Sequence, residues 1–380
     1  MSISTDRFIM LMTGDIIVGD RSDYYFHGVK DTLEQADVVL GQLEVPYSDR
    51  ASELAGLFRS PSVLQPLMQY VDALTLAGNH IYDAGAVGVQ DTMDWLRSHQ
   101  VPFTSAGENL TEASKPVILR HGDTRIGYIG YNCTGPKATW ASEGKPGCSY
   151  LEIITQFDMG DIANPGGPPE RILTWPEPVS FARMQEEVAT LREQCDVLCV
   201  YFHKGIVHKP IKLADYERIV AHAAIDAGAD VVTSSHSHIL HGIEVYKGRT
   251  IYHGLNNFVA WVPSLRPDFK RTGGANTALF NPEEWARKRI ERFGFVPDPS
   301  YPTYPFHPEA IYTAAAKCVV ESGRIVQTRY IPMIVDREGV TNTVTREKGG
   351  QTVFDYMQDI TIKAGLNATF TWDGDEVVIS

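Results

Sequence analysis

Two histidines, one residue apart, follow an apolar strand in the second half of the chain. The segment 231–243 reads VVTSSHSHILHGI, so a β-branched run leads through two serines to His236 and His238. Imidazole is the commonest neutral metal ligand, and two rings at the end of one strand can reach neighbouring points in a cleft. This spacing indicates a metal site, although for the pair alone a structural role explains the pattern equally well.

Other predicted strands also end in residues that bind metals. These are Asp15 after the strand 8–12, Glu44 after 37–43, Asn79 and His80 after 73–78, and His203 after 197–202. Carboxylates, an amide oxygen and imidazoles together suit Zn²⁺, Mn²⁺ or Fe better than Ca²⁺ or Mg²⁺ alone. Ligands of open α/β proteins gather at the carboxyl ends of strands, and a carboxylate such as that of Glu44 can bridge two metals. The recurrence predicts a metal-dependent hydrolase.

Each of these residues has an ordinary alternative when it is taken alone. A Gly-Asp pair such as Gly14-Asp15 is usually a turn, Asn79 could cap a helix, and His80 could be a hydrogen-bonded core histidine. The prediction of a metal site therefore depends on several strand ends in one chain and not on any single residue.

Strands and helices that alternate along the chain must position these residues. Helices are predicted at 31–36, 61–70 with Ser60 as cap, 85–99, from Ser180 onward, 215–228, from Asn281 onward and at 352–364. Hairpins are predicted at 116–131, 314–335 and 369–378. Two stretches rich in Gly, Pro and aromatic residues, about 132–179 and 281–310, are interpreted as insertions into a single domain spanning residues 1–380.

The bulk properties exclude several classes of protein. The net charge is −13, which disfavours a nucleic-acid partner, and the odd number of cysteines, 5, without a CxxC motif argues against a disulfide framework. No apolar run is long enough to span a bilayer, and the N-terminus lacks the pattern of a signal peptide. We expect a soluble, cytoplasmic protein that acts on a small molecule without a membrane partner, and a homo-oligomer is left open.

The chain resembles the CapA-type family of poly-γ-glutamate capsule synthesis, within the calcineurin-like metallophosphoesterase superfamily. The resemblance covers roughly residues 7–262 and the C-terminal hairpin, and it implies an α/β fold, a four-layer αββα sandwich of two mixed sheets with the site at one edge. An ordered series of short motifs carries the resemblance. The motifs are Gly14-Asp15, Leu43-Glu44, Ala77 to His80, His203 to Gly205, His236 to His238 and Asn256 to Phe258.

The resemblance also implies a role for each residue. Glu44 matches the metal-bridging acid, and His80 matches the histidine that faces the substrate in phosphoesterases and can protonate the leaving group. The remaining positions match metal ligands, which are Asp15 and His238 for the first metal and Asn79, His203 and His236 for the second. The family thus implies one or two divalent transition metals.

One expected ligand is missing from the series. Ile17 stands where the superfamily usually has a histidine ligand of the first metal. The site is therefore either mononuclear or completed by another group. His208, His241 and His253 lie near the motifs in sequence, and for each of them a structural or hydrogen-bonding role is the commoner alternative to metal binding.

Three functions are compatible with these observations. The first is a hydrolase in which a metal-activated hydroxide attacks a phosphoester of a small molecule, and superfamily precedent ranks it first. The second is hydrolysis of a γ-glutamyl or other amide or ester bond. The third is a non-catalytic accessory or binding protein of polyglutamate synthesis, against which the lack of a membrane anchor counts. The aromatic residues of 132–179 favour a ring-containing or partly apolar substrate.

Overall fold

The computed structural model describes residues 7–50, 59–160, 169–262 and 282–380. The strands, in chain order, are β1 Arg7–Ile17, β2 Val38–Leu43, β3 Ala73–Thr75, β4 Phe103–Thr104, β5 Ala106–Gly107, β6 Val117–His121, β7 Thr124–Asn132, β8 Gly147–Cys148, β9 Ile153–Asp158, β10 Arg171–Pro176, β11 Val197–Lys204, β12 Val231–His236, β13 Leu240–Tyr246, β14 Arg249–Leu255, β15 Asn257–Ala260, β16 Tyr312–Glu321, β17 Arg324–Val335, β18 Thr341–Thr343, β19 Phe370–Asp373 and β20 Glu376–Ile379.

Helices cover the outer faces of the sheets and connect their strands. The α-helices are α1 Ser22–Phe26, α2 Lys30–Glu34, α3 Gly85–Ser98, α4 Leu110–Ala113, α5 Pro178–Arg192, α6 Asp215–Asp226, α7 Pro282–Phe293 and α8 Gln351–Lys363. Short 3-10 helices span Pro61–Gln69, Lys137–Thr139 and Pro308–Ile311, and a π-helical turn, Arg346–Gly350, precedes α8. Among the described ranges, no helix is both long and apolar enough to cross a membrane.

The first sheet places the ends of β1, β2 and β15 side by side. Its order is β19-β20-β17-β16-β1-β2-β3-β4, with β15 beside the end of β1 and β18 beside β17. Strands β1 to β4 are parallel, whereas β16 is antiparallel to β1 and β17 is antiparallel to β16. The β1–β2 register shifts between Met12 and Asp15, and β1 continues past the predicted end at Met12 because its last residues pair with β15. A Cβ on Gly14 would lie 1.9 Å from the Asn256 carbonyl oxygen, so only glycine permits this approach.

The second sheet has the order β13-β14-β12-β11-β7-β6. Strands β7, β11, β12 and β14 are parallel, and the edge strands β6 and β13 are antiparallel to their neighbours. Every residue of β11 is buried, as expected for a parallel strand covered on both faces. Both sheets are therefore mixed, as predicted.

The hydrophobic cores define four layers. Alternate residues of one strand point to opposite faces, so Leu40 of β2 packs with Cys199 of β11 between the two sheets. Val39 packs instead with α3 and the 3-10 helix on the outer face of the first sheet. Val200 packs with α5 and α6 on the outer face of the second sheet. The order helix, sheet, sheet, helix confirms the predicted sandwich.

Two predicted helices differ from their description in the sequence. The segment 61–69 is a 3-10 helix and not an α-helix, and it contains Pro66, which has no N–H group to donate to an α-helical hydrogen bond. Helix α5 is capped by Glu177 and not by Ser180, because the Glu177 carboxylate accepts hydrogen bonds from the N–H groups of Val179 and Ser180. Asn281, the predicted cap of α7, lies outside the described residues.

The stretch 132–179 is more regular than its sequence suggests. Strands β9 and β10 form a two-stranded antiparallel sheet in which Phe157 pairs with Ile172. No residue of β9 is buried and only Pro176 of β10 is, so neither strand has the buried face that produces an apolar alternation in sequence. The five cysteines of the chain are all buried free thiols, which agrees with the predicted lack of disulfides.

Candidate metal centre

The carboxyl ends of strands from both sheets meet at one edge of the sandwich and bring Asp15, Glu44 and His238 together. One potential ligand atom from each residue lies within 4.8 Å of the others. His238 Nδ1 is 3.5 Å from Asp15 Oδ2, and His238 Nε2 is 3.6 Å from Glu44 Oε1. These residues are the ones that the resemblance assigned to the first metal and to the bridging position.

A second group of ligand atoms lies on the other side of Glu44. His203 Nε2 is 2.6 Å from Asn79 Oδ1, 3.2 Å from His236 Nδ1 and 4.0 Å from Glu44 Oε1. Metal–nitrogen and metal–oxygen bonds are about 2.0–2.2 Å long, so atoms this close to one another could share one ion. The structure thus brings together all six predicted ligands in two groups that meet at Glu44.

The two carboxylates need a cation. Glu44 is fully buried, and neither of its oxygens has a hydrogen-bond partner among the described residues. Burial, followed by the charge of Asp15, raises the pKa of Glu44 well above its ordinary value. Burial also raises the pKa of Asp15 to about 7, although hydrogen bonds from Ser235 and the His236 backbone oppose the shift. A metal ion satisfies buried carboxylates of this kind, so the residues fit the expected cofactor.

The imidazoles are held in the neutral form that metal ligands require. Burial lowers the pKa of both His203 and His236 well below the ordinary value. The Tyr201 hydroxyl lies 2.9 Å from His203 Nδ1, which leaves Nε2 to face Asn79 and Glu44. A hydrogen bond to the ring nitrogen that faces away from the ligands sets which nitrogen is available to a metal.

Asn257 orients His238 in the same way. Its Oδ1 lies 2.8 Å from His238 Nδ1, and because an amide oxygen only accepts, Nδ1 carries the proton and Nε2, which faces Glu44 Oε1, carries the lone pair that a metal would need. The Asn257 amide nitrogen donates to the Tyr304 hydroxyl over 2.8 Å, which supports this orientation of the amide. Asn257 belongs to a quoted motif, but its role was not predicted, and nothing in the sequence pairs Tyr304 with it.

The backbone near these ligands adopts left-handed conformations that non-glycine residues seldom take. His236 has φ 104°, His238 has φ 50° and Asn256 has φ 63°. Asn256 is held there by two hydrogen bonds from its amide nitrogen, to the carbonyl oxygens of Ala310 and Tyr312. Such outliers concentrate at functional sites, where the surrounding structure compensates for their strain.

His80 differs from the buried ligands. Its side chain is 43% exposed, and its Nδ1 lies 2.7 Å from Asp83 Oδ2. The carboxylate accepts a hydrogen bond from Nδ1–H, which leaves Nε2 as the ring nitrogen that can face a substrate. Asp83 is three residues after His80, in a turn closed by a hydrogen bond of 2.9 Å from Asp83 N to the His80 carbonyl oxygen, and this spacing could have suggested the pair from the sequence.

Ile17 stands where a histidine ligand is expected, and the three nearby histidines have different surroundings, with the His208 ring centroid 6.2 Å from that of His238. Ile17 is buried in the apolar core, and in the described part of the chain the acid and histidine group around Asp15 contains no further histidine than His238. His253 forms hydrogen bonds with Glu244 and Lys204. His208 packs against aromatic rings such as Phe295. His241 is fully buried, and its ring nitrogens have no hydrogen-bond partner among the described residues.

Asn132 connects the stretch 132–179, which the sequence predicts to be an insertion, to the site. This buried residue ends β7, and its amide nitrogen donates to the Gly78 carbonyl oxygen over 3.2 Å and to the Thr139 hydroxyl over 3.1 Å. Gly78 immediately precedes Asn79, so residues of the insertion hold the turn that presents Asn79 and His80.

Comparison with known proteins identifies the family to which the chain is similar. Residues 9–261 match the family model described as bacterial capsule synthesis protein PGA_cap. The chain is 24% identical over 271 residues to the capsule biosynthesis protein CapA of Bacillus anthracis, covering 67% of this chain and 60% of that one. It is 26% identical over 274 residues to the PGA biosynthesis protein CapA of Bacillus subtilis (strain 168), covering 67% and 64%. The chain thus spans about six tenths of the length of these curated relatives.

Solved structures also resemble the chain, at low sequence identity. The calcineurin-like phosphoesterase YfkN from Bacillus subtilis is 14% identical, with a TM-score of 0.42, and the match covers 95% of this chain and 98% of that one.

Proposed function

The chain belongs to the bacterial capsule synthesis PGA_cap family, and from that premise we propose that it is a metal-dependent hydrolase of a phosphoester bond in a small molecule. The observation that carries the proposal is Glu44, a buried carboxylate with no hydrogen-bond partner among the described residues, located where two groups of ligand atoms meet. A protein that needed this residue only for folding would gain stability from a neutral or apolar side chain.

The predicted ligands fall into two groups, one for each metal ion. Asp15, Glu44 and His238 would hold one ion, and Asn79, His203 and His236, with Glu44, would hold a second. The mixture of nitrogen and oxygen ligands suits zinc, manganese or iron. A divalent metal supplies positive charge that polarises a phosphoryl oxygen and makes water a nucleophile at neutral pH.

His80 is assigned the role of general acid. Asp83 Oδ2 accepts a hydrogen bond from Nδ1–H, which orients the ring. Nε2 then donates a proton to the leaving oxygen as the phosphoester bond breaks. The partial exposure of the ring lets it reach a substrate, which the buried ligands cannot do as acids because their neutral form is favoured.

The experiment compares His80→Gln with the wild-type protein after reconstitution with zinc or manganese. We expect unchanged metal content per chain and a kcat lower by about 10²–10⁴-fold for alkyl phosphoesters, whose leaving group needs a proton. For p-nitrophenyl phosphoesters the loss should be smaller, because that leaving group departs without protonation. His99→Gln is the matched control, since His99 bonds only locally, to Ser98 and to the Trp95 carbonyl oxygen.

Two outcomes would contradict this assignment. Full activity of His80→Gln on both classes of substrate would remove His80 from the mechanism. Loss of metal in the variant would make His80 a ligand and not an acid. An inactive wild-type protein that nevertheless binds metal would favour the accessory role in polymer synthesis.

Hydrolysis of a γ-glutamyl amide is the second candidate. It is favoured by the name of the Bacillus subtilis relative, a PGA biosynthesis protein. His80 would then protonate the departing nitrogen. Turnover of γ-glutamyl peptides that exceeds turnover of phosphoesters, with the same dependence on His80, would select this candidate.

A further inference from the structure

A buried arginine is fastened across the strand ends beside the metal centre. Arg59 forms a β-bridge with Tyr47, and its carbonyl oxygen accepts a hydrogen bond of 2.8 Å from Ser48 N. Its Nη2 donates over 2.7 Å to the carbonyl oxygen of Trp261, the residue after β15, and its guanidinium lies 5.1 Å from the centroid of that indole. Only 7% of Arg59 is exposed, so the guanidinium is both immobilised and desolvated.

Two donor groups of this guanidinium are left without partners. Neither Nε nor Nη1 has a hydrogen-bond acceptor among the described residues. The unpaired oxygens of Glu44 can be explained by a metal ion, but a metal cannot satisfy an N–H donor. A buried guanidinium needs an acceptor, and an anionic oxygen is the one that arginine binds best.

Arg59 lies close to the groups that would act on a substrate. Its bridge partner Tyr47 is three residues after Glu44, and Trp261, whose carbonyl oxygen accepts from Arg59, donates its backbone N–H over 2.8 Å to the carbonyl oxygen of Ile17 at the end of β1. Arg59 opposes the rise in the pKa of Glu44. Arg59 is therefore anchored beside the strand ends that carry Asp15 and Glu44, and its charge acts on the bridging acid.

We infer that Arg59 is a substrate-binding residue whose unpaired donors bind an oxyanion, a phosphoryl or carboxylate oxygen, held next to the metal centre. The identification of this oxyanion as part of the substrate rests on the proposed hydrolase function. The inference therefore predicts that the substrate has an anionic group next to the bond that is cleaved. The inference also gives Arg59 a role that differs from that of a metal-binding residue, because a guanidinium cannot bind a metal.

The test measures binding and not turnover. Protein reconstituted with zinc is titrated with inorganic phosphate and, separately, with glutarate, by isothermal calorimetry. We expect Arg59→Gln to bind the preferred anion at least about tenfold more weakly than the wild-type protein, because a charge-assisted hydrogen bond is lost. Arg50→Gln is the matched control, since Arg50 is exposed and already paired with Asp91, and it should bind the anion like the wild type.

Arg59→Lys is a second variant that keeps the test valid if Arg59→Gln fails to fold. It keeps the positive charge but loses the fixed fork of donors, so its anion affinity should lie between those of the wild type and Arg59→Gln, with wild-type metal content. Anion affinity equal to the wild type in both folded Arg59 variants would overturn the inference. So would a zinc-loaded wild-type protein that binds neither phosphate nor glutarate.

The two anions also separate this inference from the proposed function. Binding of phosphate that depends on Arg59, without cleavage of any phosphoester, would support the inference and refute the phosphoesterase. Binding of glutarate that depends on Arg59 would support the inference and direct the search for substrates to γ-glutamyl compounds. Phosphoester cleavage that is unaffected in the Arg59 variants would retain the proposed function and refute the inference.

Discussion

The buried carboxylate of Asp15 makes the stability of the metal-free protein depend on pH in an unusual direction. Burial raises its pKa from 3.8 to about 7, so the folded protein holds this proton more tightly than the unfolded chain does. The resulting stabilisation is fully present below pH 3.8 and is lost as the pH rises through 7. A shift of roughly three pKa units corresponds to about 4 kcal/mol at most.

The substitution Asp15→Asn isolates this contribution, because asparagine has nearly the same shape and does not titrate. Free energies of unfolding would be measured by urea denaturation of both proteins in excess chelator between pH 5 and pH 8. We expect the wild-type value to fall by about 3 kcal/mol relative to the variant over this range, since part of the effect is already lost below pH 5. Glu44 is present in both proteins, so most of its own contribution cancels.

With saturating zinc or manganese, the free energy of unfolding of the wild-type protein should rise with pH instead of falling, whereas that of Asp15→Asn should not. Metal binds the ionised carboxylate and displaces its proton, so apparent affinity should rise about tenfold per pH unit per displaced proton below pH 7. Parallel pH profiles of the two metal-free proteins would refute the reasoning, because they would mean that Asp15 titrates as a solvated carboxylate does.

Two further predictions concern residues that support the site. Asn257→Leu removes the acceptor for His238 Nδ1 and should weaken metal affinity by about 10–100-fold, measured by competition with a chromophoric chelator. Lys204→Met leaves Glu217 buried without the ammonium that lies 2.9 Å away, and it should lower the free energy of unfolding by about 3–5 kcal/mol in urea denaturation.

Each of these predictions has a control. For Asn257→Leu the control is Asn367→Leu, which alters a surface asparagine bonded only to the Val245 backbone, and equal metal affinities in both variants would contradict the orienting role. For Lys204→Met, the added substitution Glu217→Met should restore most of the lost stability. A double variant no more stable than the single one would mean that the ion pair is not the cause.

The strand ends and their ligand types could be predicted from the sequence because their signals are local. A parallel strand buried on both faces is a continuous apolar run, so β11 and β12 can be predicted from their apolar residues. The polar residue that follows each apolar run is then the candidate ligand. The family's motif order then predicted which strand ends share a site. The same resemblance predicted the fold, and the two mixed sheets with their four-layer packing confirm the predicted fold.

The interactions that orient the ligands could not be predicted, because they join segments far apart in the chain. Asn257 lies beside Asp15 only through the pairing of β15 with β1, and it contacts Tyr304 only through the fold of the second insertion. Asn132 holds Gly78 across 54 residues. Local periodicity carries no information about such partners.

Arg59 shows most clearly what only the tertiary structure decided. In the sequence it is one arginine before a serine and a proline, with nothing to distinguish it from a solvated surface residue. Its burial, its bond to Trp261 and its unpaired donors arise from the packing of three separated segments. Residue type and spacing determine which chemistry is available to this protein, whereas desolvation and electrostatic reach depend on long-range packing and determine where that chemistry acts.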